Sequence, residues 1–585
     1  MIFLFFAFEG IFIPGITIYG DRLFTGSYNT TIVDSTLIDL IGSPVNALDY
    51  AGGVDVYSYG GPYALTQVKA LGGRSVQTSV FINGIPVNDV KTGVFDMSLL
   101  NGNITGIEVL KGGLILPGVN STMGTGINYV KRPESKFRVS LGGYGYLGAG
   151  VGYEKNNDGF TIDFSRYRGF RSNQDGYSGG FDVFFKNLFI TGTLKKTGVP
   201  GPYPGKTVPP YGDSTAYSIY DTQEDRFFAF SYNTRTERYQ MNIYGIYSRM
   251  LPYSRYIDYF SGNEVEERDD YRTYSAGITG FYTYSTVNTG FSMRIDSAAF
   301  FRPDTTWGKL TYAISVSPSL EKMFSNHAFF GSGFNIDIGK ATGRVWSSYM
   351  VAGYRKGFEV YVKGSRDFRK PTINELYWPL FSNPDLKPEV SKSIEAGFRN
   401  DKFSITGYYR DVADMIGYNA SFIPVNINRA YIKGIDVALN YSISNVKITL
   451  TYNWVKGVER LWTVAYYDSL NNPVMDTFYI PLEYTPENRA SVMLYTLKDP
   501  NIFVGVKYRD YMVRYVRSMG TWIIYNLPSY LVIDAGIVKK LGDLKVRFII
   551  TNILDTEQRV WFGYTPDTYY LGEPRSFRLE VMGRI

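Results

Sequence analysis

The chain offers little of the usual catalytic chemistry. It has no cysteine and a single histidine, His327. Thiolate zinc sites, disulfide frameworks and cysteine nucleophiles are excluded, as are multi-histidine metal centres and most histidine-based triads. His327 lies in the loop-like stretch SNHAFFGSG and is expected to be an ordinary exposed residue. Carboxylates occur side by side at Glu224-Asp225 and Asp269-Asp270. Calcium takes about six to eight oxygens, and neither pair brings a complete set, so both read as solvated loop carboxylates. No catalytic residue, no cofactor and no metal is expected, and the chain does not read as an enzyme. One further stretch holds a carboxylate and a cation on a strand-like run, IEVLKGG at 107–113. Ile107 and Val109 share one face, Glu108 and Lys111 sit beside them, and Gly112-Gly113 end the run. Alone, it reads as a surface Glu and Lys on an edge strand.

The elements that position these residues are strands. From about residue 136 onward period-two alternation recurs. VKITLTYNW puts Val446, Ile448, Leu450, Tyr452 and Trp454 on one face and Lys447, Thr449, Thr451 and Asn453 on the other. FTIDFSRY sets Phe160, Ile162 and Phe164 against Thr161, Asp163 and Ser165. Such alternation means strands with one apolar and one polar face. Breakers such as KNNDG and VPGPYPGKTVPPYGD separate them. The chain is 17% aromatic with 51 tyrosines, whose amphipathic rings suit half-buried strands and water–lipid boundaries. Its charge, 60 basic against 54 acidic residues, is too balanced to argue for nucleic acid.

A soluble sandwich or propeller would bury the apolar face; a membrane barrel would turn it to lipid. No run reaches the length of a membrane helix, so a membrane-embedded form crosses as strands. Residues 136–585 accommodate about 22 strands of about ten residues, with about eleven left per connection. The first 135 residues differ, with short mixed segments that read as a small α+β domain; STLIDLIGSPVNAL predicts a short helix capped by Ser35. Barrels of this size are plugged, which gives such a domain a place. MIFLFFAF at the start reads as a degenerate secretion signal.

The order of motifs resembles the TonB-dependent outer-membrane receptors across almost the whole chain. The motifs are SVFINGIPVND (79–89), ITGIEVLKGG (104–113), MGTGINYVKR (123–132), FRKPTINELYW (368–378) with NPDLKPEVSKSIEAGFR (383–399), and YTPENRASVML (484–494). KALGGR (69–74) and Asn83 depart from the family pattern. The resemblance implies an all-β transmembrane barrel of about 22 antiparallel strands with an N-terminal α+β plug in its lumen. The expected division is 1–14 signal-like segment, 15–22 TonB-box-like segment, 23–135 plug and 136–585 barrel. It implies that Glu108 and Lys111 join ion pairs that seat the plug. GITIYGDR resembles the TonB box, with Ile16, Thr17, Ile18, Tyr19 and Gly20 as an extended strand able to add to a partner's sheet edge; the alternative is a first structured plug strand.

The implied function is active import of a scarce nutrient across the outer membrane of a Gram-negative-type bacterium. The implied partners are a TonB-like periplasmic energy-coupling protein, outer-membrane lipid, and cobalamin or a ferric chelate as ligand, with the receptor a monomer that binds no nucleic acid. The proline-rich loop and the FRKPTINELYW…NPDLKPE block look most like the cobalamin-type branch; a ferric-siderophore receptor and a passive porin-like barrel are the alternatives. Expected ligand contacts are the apical plug residues Tyr63, Ala64, Asn88, Asp89, Lys91 and Thr92.

Overall fold

The computed structural model describes residues 27–585 except 34, 172, 200–202, 205–217, 237, 258–262, 303–304, 342, 380, 420–421, 468–472, 519–520 and 563–567. The expected signal-like and box-like segments, including Ile16, Thr17, Ile18, Tyr19 and Gly20, lie outside the described residues.

Alternation puts the apolar side chains of the later residues outward. Phe160, Ile162 and Phe164 are exposed on the outside, while Thr161 is buried and donates to Asp182, its cross-strand neighbour on the inner face. Twenty-two antiparallel strands close the sheet, from Lys136–Gly142 round to Ser576–Arg584, which pair with each other. Two shorter strands, Glu264–Arg268 and Pro473–Pro481, extend neighbours whose other halves pair directly, and so stand at the rim. At one end the connections are tight turns such as 156–157, 444–445 and 542–543; at the other lie the long ones, 370–388, 510–529 and 552–575. His327 stands in a short turn with φ 68°, half-buried and edge-on to Tyr354, not freely exposed.

The lumen is filled. A five-stranded sheet of order Asn29–Val33, Ile104–Lys111, Gly126–Lys131, Ser79–Ile82 and Ile85–Pro86 stands inside the barrel. All its neighbours run antiparallel except Ser79–Ile82 on Gly126–Lys131. Asn83-Gly84, both with positive φ, make the tight turn that joins the last two strands. Two helices stand where the sequence predicts one. Ser35–Ile41 begins at Ser35, and Ser43 caps Pro44–Leu48 by accepting from Asn46 N; Gly42 and Pro44 break the run between them. Val54–Ser58 and Thr66–Ala70 form a separate hairpin. Plug residues Leu40, Leu48, Val80, Ile107, Val109 and Ile127 share one apolar core with wall residues Phe184, Phe227, Tyr495 and Phe503. The sheet is therefore buried on both faces, and every residue of Ile104–Lys111 except Thr105 is buried.

Candidate functional site

Glu108 and Lys111 lie three apart on one strand, so they point to opposite faces. Lys111 Nζ reaches Asp436 of the wall at 2.5 Å, with both side chains almost fully buried. The same carboxylate accepts from Asn29 Nδ2 at 3.1 Å, and Ser27 Oγ donates to the Lys111 carbonyl at 2.9 Å. One wall aspartate thus ties the first plug strand and the IEVLKGG strand together. Glu108 accepts from the Asn128 amide of the neighbouring plug strand at 3.0 Å. Burial pushes its carboxyl up to about 7, against the effect of that hydrogen bond. The two glycines that follow are close-approach points. A Cβ on Gly112 would meet Glu395 Oε2 at 2.5 Å, and one on Gly113 would meet Asp367 Oδ2 at 2.2 Å. Lys363 donates to the Gly113 carbonyl at 2.8 Å.

Other plug–wall pairs repeat the pattern. Lys131 meets Asp182 at 2.7 Å, and the wall's Lys195 meets Asp96 at 2.7 Å and Asp225 at 2.9 Å. Asp49, after the second helix, faces Arg489 at 2.7 Å and Lys507 at 3.6 Å. Burial works against its charge, but Arg489, Lys507 and Arg509 outweigh it and hold the carboxyl below the usual range. Buried pairs of this kind add little net stability and fix geometry, while loss of one partner is costly.

The expected ligand contacts lie at the long-loop end in two groups. Tyr63 and Ala64 form the tip of the plug hairpin. Tyr63 is buried edge-on to Tyr167 of the wall, and a Cβ on Gly61 would meet the Tyr167 ring at 2.4 Å; Ala64 is half-buried. The second group is a turn. Asn88 is placed among ligand contacts by the sequence, yet its amide is used by the turn itself. It accepts from Val80 N and donates to the Thr78 and Gly93 carbonyls. Asp89 Oδ1 caps Lys91 N and Thr92 N, and its other oxygen accepts from Thr273. The Lys91 ammonium lies 3.7 Å over the Tyr271 ring, beside Phe300 and Trp378. Of these four, Thr92 alone is exposed.

This turn is held from above by the FRKPTINELYW block. The short helix Ile373–Tyr377, with a Thr372–Glu375 capping box, donates Ile373 N to the Val90 carbonyl and Asn374 N to the Lys91 carbonyl. Arg369 is buried and pairs with Glu375 at 3.0 Å and Glu389 at 2.8 Å; Gln77 of the plug donates to the same Glu389. On the other side of the mouth, Lys69 sits among Tyr57, Tyr484 and Trp561, at 5.0, 5.5 and 4.9 Å from their centroids. Burial pulls its ammonium down to about 8. A cavity of about 280 Å³ runs between plug and wall from Gly42 and Ser43 to the Gly60–Tyr63 tip, passing Asp49, Arg489 and Lys507.

The acidic pairs are divided by the strand period. Glu224 points out to Arg226 while Asp225 points in to Lys195. Asp269 meets Arg302, and Asp270 meets Arg249 and Arg272. Among the described residues no group of three or more metal-ligating side chains converges. The sequence by itself does not mark Asp436, Asp182 or Lys69 as site residues, nor single out Arg369 within its block. Their partners lie far along the chain, and only the FRKPTINELYW block carried a local signal for Arg369.

Residues 101–553 match the family model described as TonB dependent receptor-like, beta-barrel. A segment of 96 residues, 15% of this chain and 16% of the relative, is 35% identical to a vitamin B12 transporter of Vibrio vulnificus. A second, of 131 residues, is 26% identical to the vitamin B12 transporter of Photobacterium profundum over 22% of that protein's length. The chain thus matches less than a quarter of the length of these curated relatives. The fold superposes on the ferric-catecholate import receptor Fiu of Escherichia coli K12 with a TM-score of 0.72, covering 96% of this chain and 97% of that one at 14% identity.

Proposed function

This chain belongs to the family of TonB-dependent receptors, and from that premise we propose that it is an energised importer of a scarce, bulky nutrient, with a cobalamin-type ligand favoured. It is an outer-membrane β-barrel of the Gram-negative type. The observation that carries the reading is the filled lumen. A folded sheet shares an apolar core with the wall and is tied to it by buried pairs such as Lys111–Asp436 and Lys131–Asp182. On this reading a bulky ligand passes only when the plug moves, and moving it takes work from outside the chain. The proposed source is a TonB-like partner that adds residues 16–20 to its sheet by backbone hydrogen bonds. Segment identity to vitamin B12 transporters favours cobalamin. The ferric-catecholate import receptor, similar in fold, keeps a ferric chelate as the alternative.

Within this reading the ligand rests at the long-loop end, against the Tyr63–Ala64 tip, Thr92 and the aromatic surround of Lys69. Lys111 and Glu108 serve the seating of the plug, and the receptor acts as a monomer. Uptake of labelled cobalamin and of ferric chelates by cells carrying the full chain or a 16–20 deletion tests it. The expected result is cobalamin binding by both and uptake by the full chain only. Uptake by the deletion would overturn energy coupling, and uptake of ferric chelates alone would replace the ligand. Single-channel recording tests the passive-barrel alternative: the seated plug gives almost no steady conductance.

A further inference from the structure

The outward face carries two basic groups with different internal balance. In the first, Arg226, Arg249 and Arg272 stand in register on three adjacent strands. Interleaved carboxylates neutralise them: Glu224 meets Arg226, and Asp270 meets both other arginines. The second group lies on the strands Glu359–Arg369 to Val446–Tyr467. There Arg366 stands opposite Lys392, Lys433 opposite Lys456, and Arg429 opposite Arg460. Each pair is like-charged and directly cross-strand, an arrangement that destabilises a sheet when nothing neutralises it. Asp411, bound by Arg429, stands directly opposite Lys392 on its other side, and Glu487 lies 3.8 Å from Lys456, so two carboxylates face six cations. Among the described residues no ion pair reaches Lys392 or Lys433, and both are exposed.

The height of this group on the wall decides its surroundings. These side chains alternate with the inward Glu395, Arg410, Asp436 and Glu459, so they face away from the plug. Lys433 and Lys456 stand about ten residues from the turn 444–445; on strands tilted by about 45° that is roughly 23 Å. The outward apolar band of such barrels is about 25 Å tall. Below the cations on the same strands the outward residues are Ile394, Tyr409, Ile435 and Tyr452, all exposed. The lysines thus emerge where the band ends at the long-loop side, at the level of the outer-leaflet headgroups. Arg366 is stacked 3.6 Å over the Trp346 ring, an aromatic residue on the same outward face.

We infer that this patch, centred on Lys392, Lys433 and Lys456, is a docking surface for an outer-leaflet lipid whose headgroup carries two or more phosphates. Clustered ammonium groups match spread anionic charge, and the apolar band beneath receives the acyl chains. Each lysine near an anionic lipid surface contributes about 1 kcal/mol, so three give an affinity change on the order of a hundredfold. This inference concerns the outside of the wall and does not depend on which nutrient is carried.

The test uses the full chain in dodecyl maltoside with added diphosphoryl lipid A, bound lipid being counted by native mass spectrometry. The wild type should bind it, and K392Q/K433Q/K456Q should lose affinity by on the order of a hundredfold. K392R/K433R/K456R, which keeps the charges, should retain binding, and R226Q/R249Q at the neutralised group should change it by less than about twofold. Phosphatidylcholine should not bind measurably, and inorganic phosphate at equal phosphate concentration should not compete. Unchanged affinity in the glutamine variant, equal binding of phosphatidylcholine, or full displacement by inorganic phosphate would each overturn the proposal.

Discussion

Lys111 of the plug and Asp436 of the wall, 325 positions apart in sequence, meet at 2.5 Å with almost no exposure of either side chain. The pair is the contact by which the edge strand, through Asn29, and the adjacent IEVLKGG strand are held to the same point of the barrel. Removing one partner strands a buried charge. Lys111→Met or Asp436→Asn should therefore loosen the plug by about 3–5 kcal/mol, and the double variant should recover much of that loss. The chain has no cysteine of its own, so a spin label on Ala64→Cys reports plug unfolding in urea without background. Equal midpoints for single variants and wild type would show that the pair does not hold the plug.

Gly113 faces the Asp367 carboxylate and the Ser365 hydroxyl of the wall where a Cβ would be. Gly113→Ala should destabilise the plug by about 1–3 kcal/mol, read as a lower urea midpoint of the same label. Gly542, with nothing near its Cβ position, lies on the barrel rim; Gly542→Asn, which tolerates the left-handed turn, should leave the plug midpoint unchanged.

Glu108 belongs to the plug, outside the membrane-spanning strands, and burial raises its pKa from 4.5 to about 7. The folded state therefore binds more protons than the unfolded one between those values. Its stabilising effect is full below about pH 4.5 and is lost as pH rises through about 7, by at most about 3 kcal/mol. Hydrogen exchange of the 104–111 amides, corrected for intrinsic rates, should show weaker protection at pH 8 than at pH 5. Glu108→Gln should remove that slope, and a slope that survives the substitution would assign it to another group.

Arg369 holds Glu375 and Glu389 and so fixes the helix whose amides grip the Val90 and Lys91 carbonyls. Arg369→Gln leaves two buried carboxylates facing each other, at a cost of about 3–5 kcal/mol. A spin label on Thr92→Cys should become markedly more mobile, while Arg369→Lys, which keeps charge but loses the fork, should fall between. Unchanged mobility in the glutamine variant would mean that the helix does not restrain the turn.

Much of the barrel is legible in sequence because a strand's period is local. Val446 to Trp454 and Phe160 to Phe164 state their outward face by alternation alone, and the lumen-filling domain follows from the change of texture near residue 136. The IEVLKGG stretch likewise marks a strand with charges that need partners. Sequence could not place Ser43 as the second helix cap, since one apolar run hid two short helices. It could not show that Asn88 is consumed by its own turn. Nor could it name Asp436 for Lys111, Asp182 for Lys131, or the like-charged rows on the wall. Facing direction is written in neighbours two residues apart; pairing is decided by barrel closure and register, which join residues hundreds of positions apart. The chain alone determined that it makes two-faced strands around a separate folded domain, and the tertiary structure alone decided which charges meet.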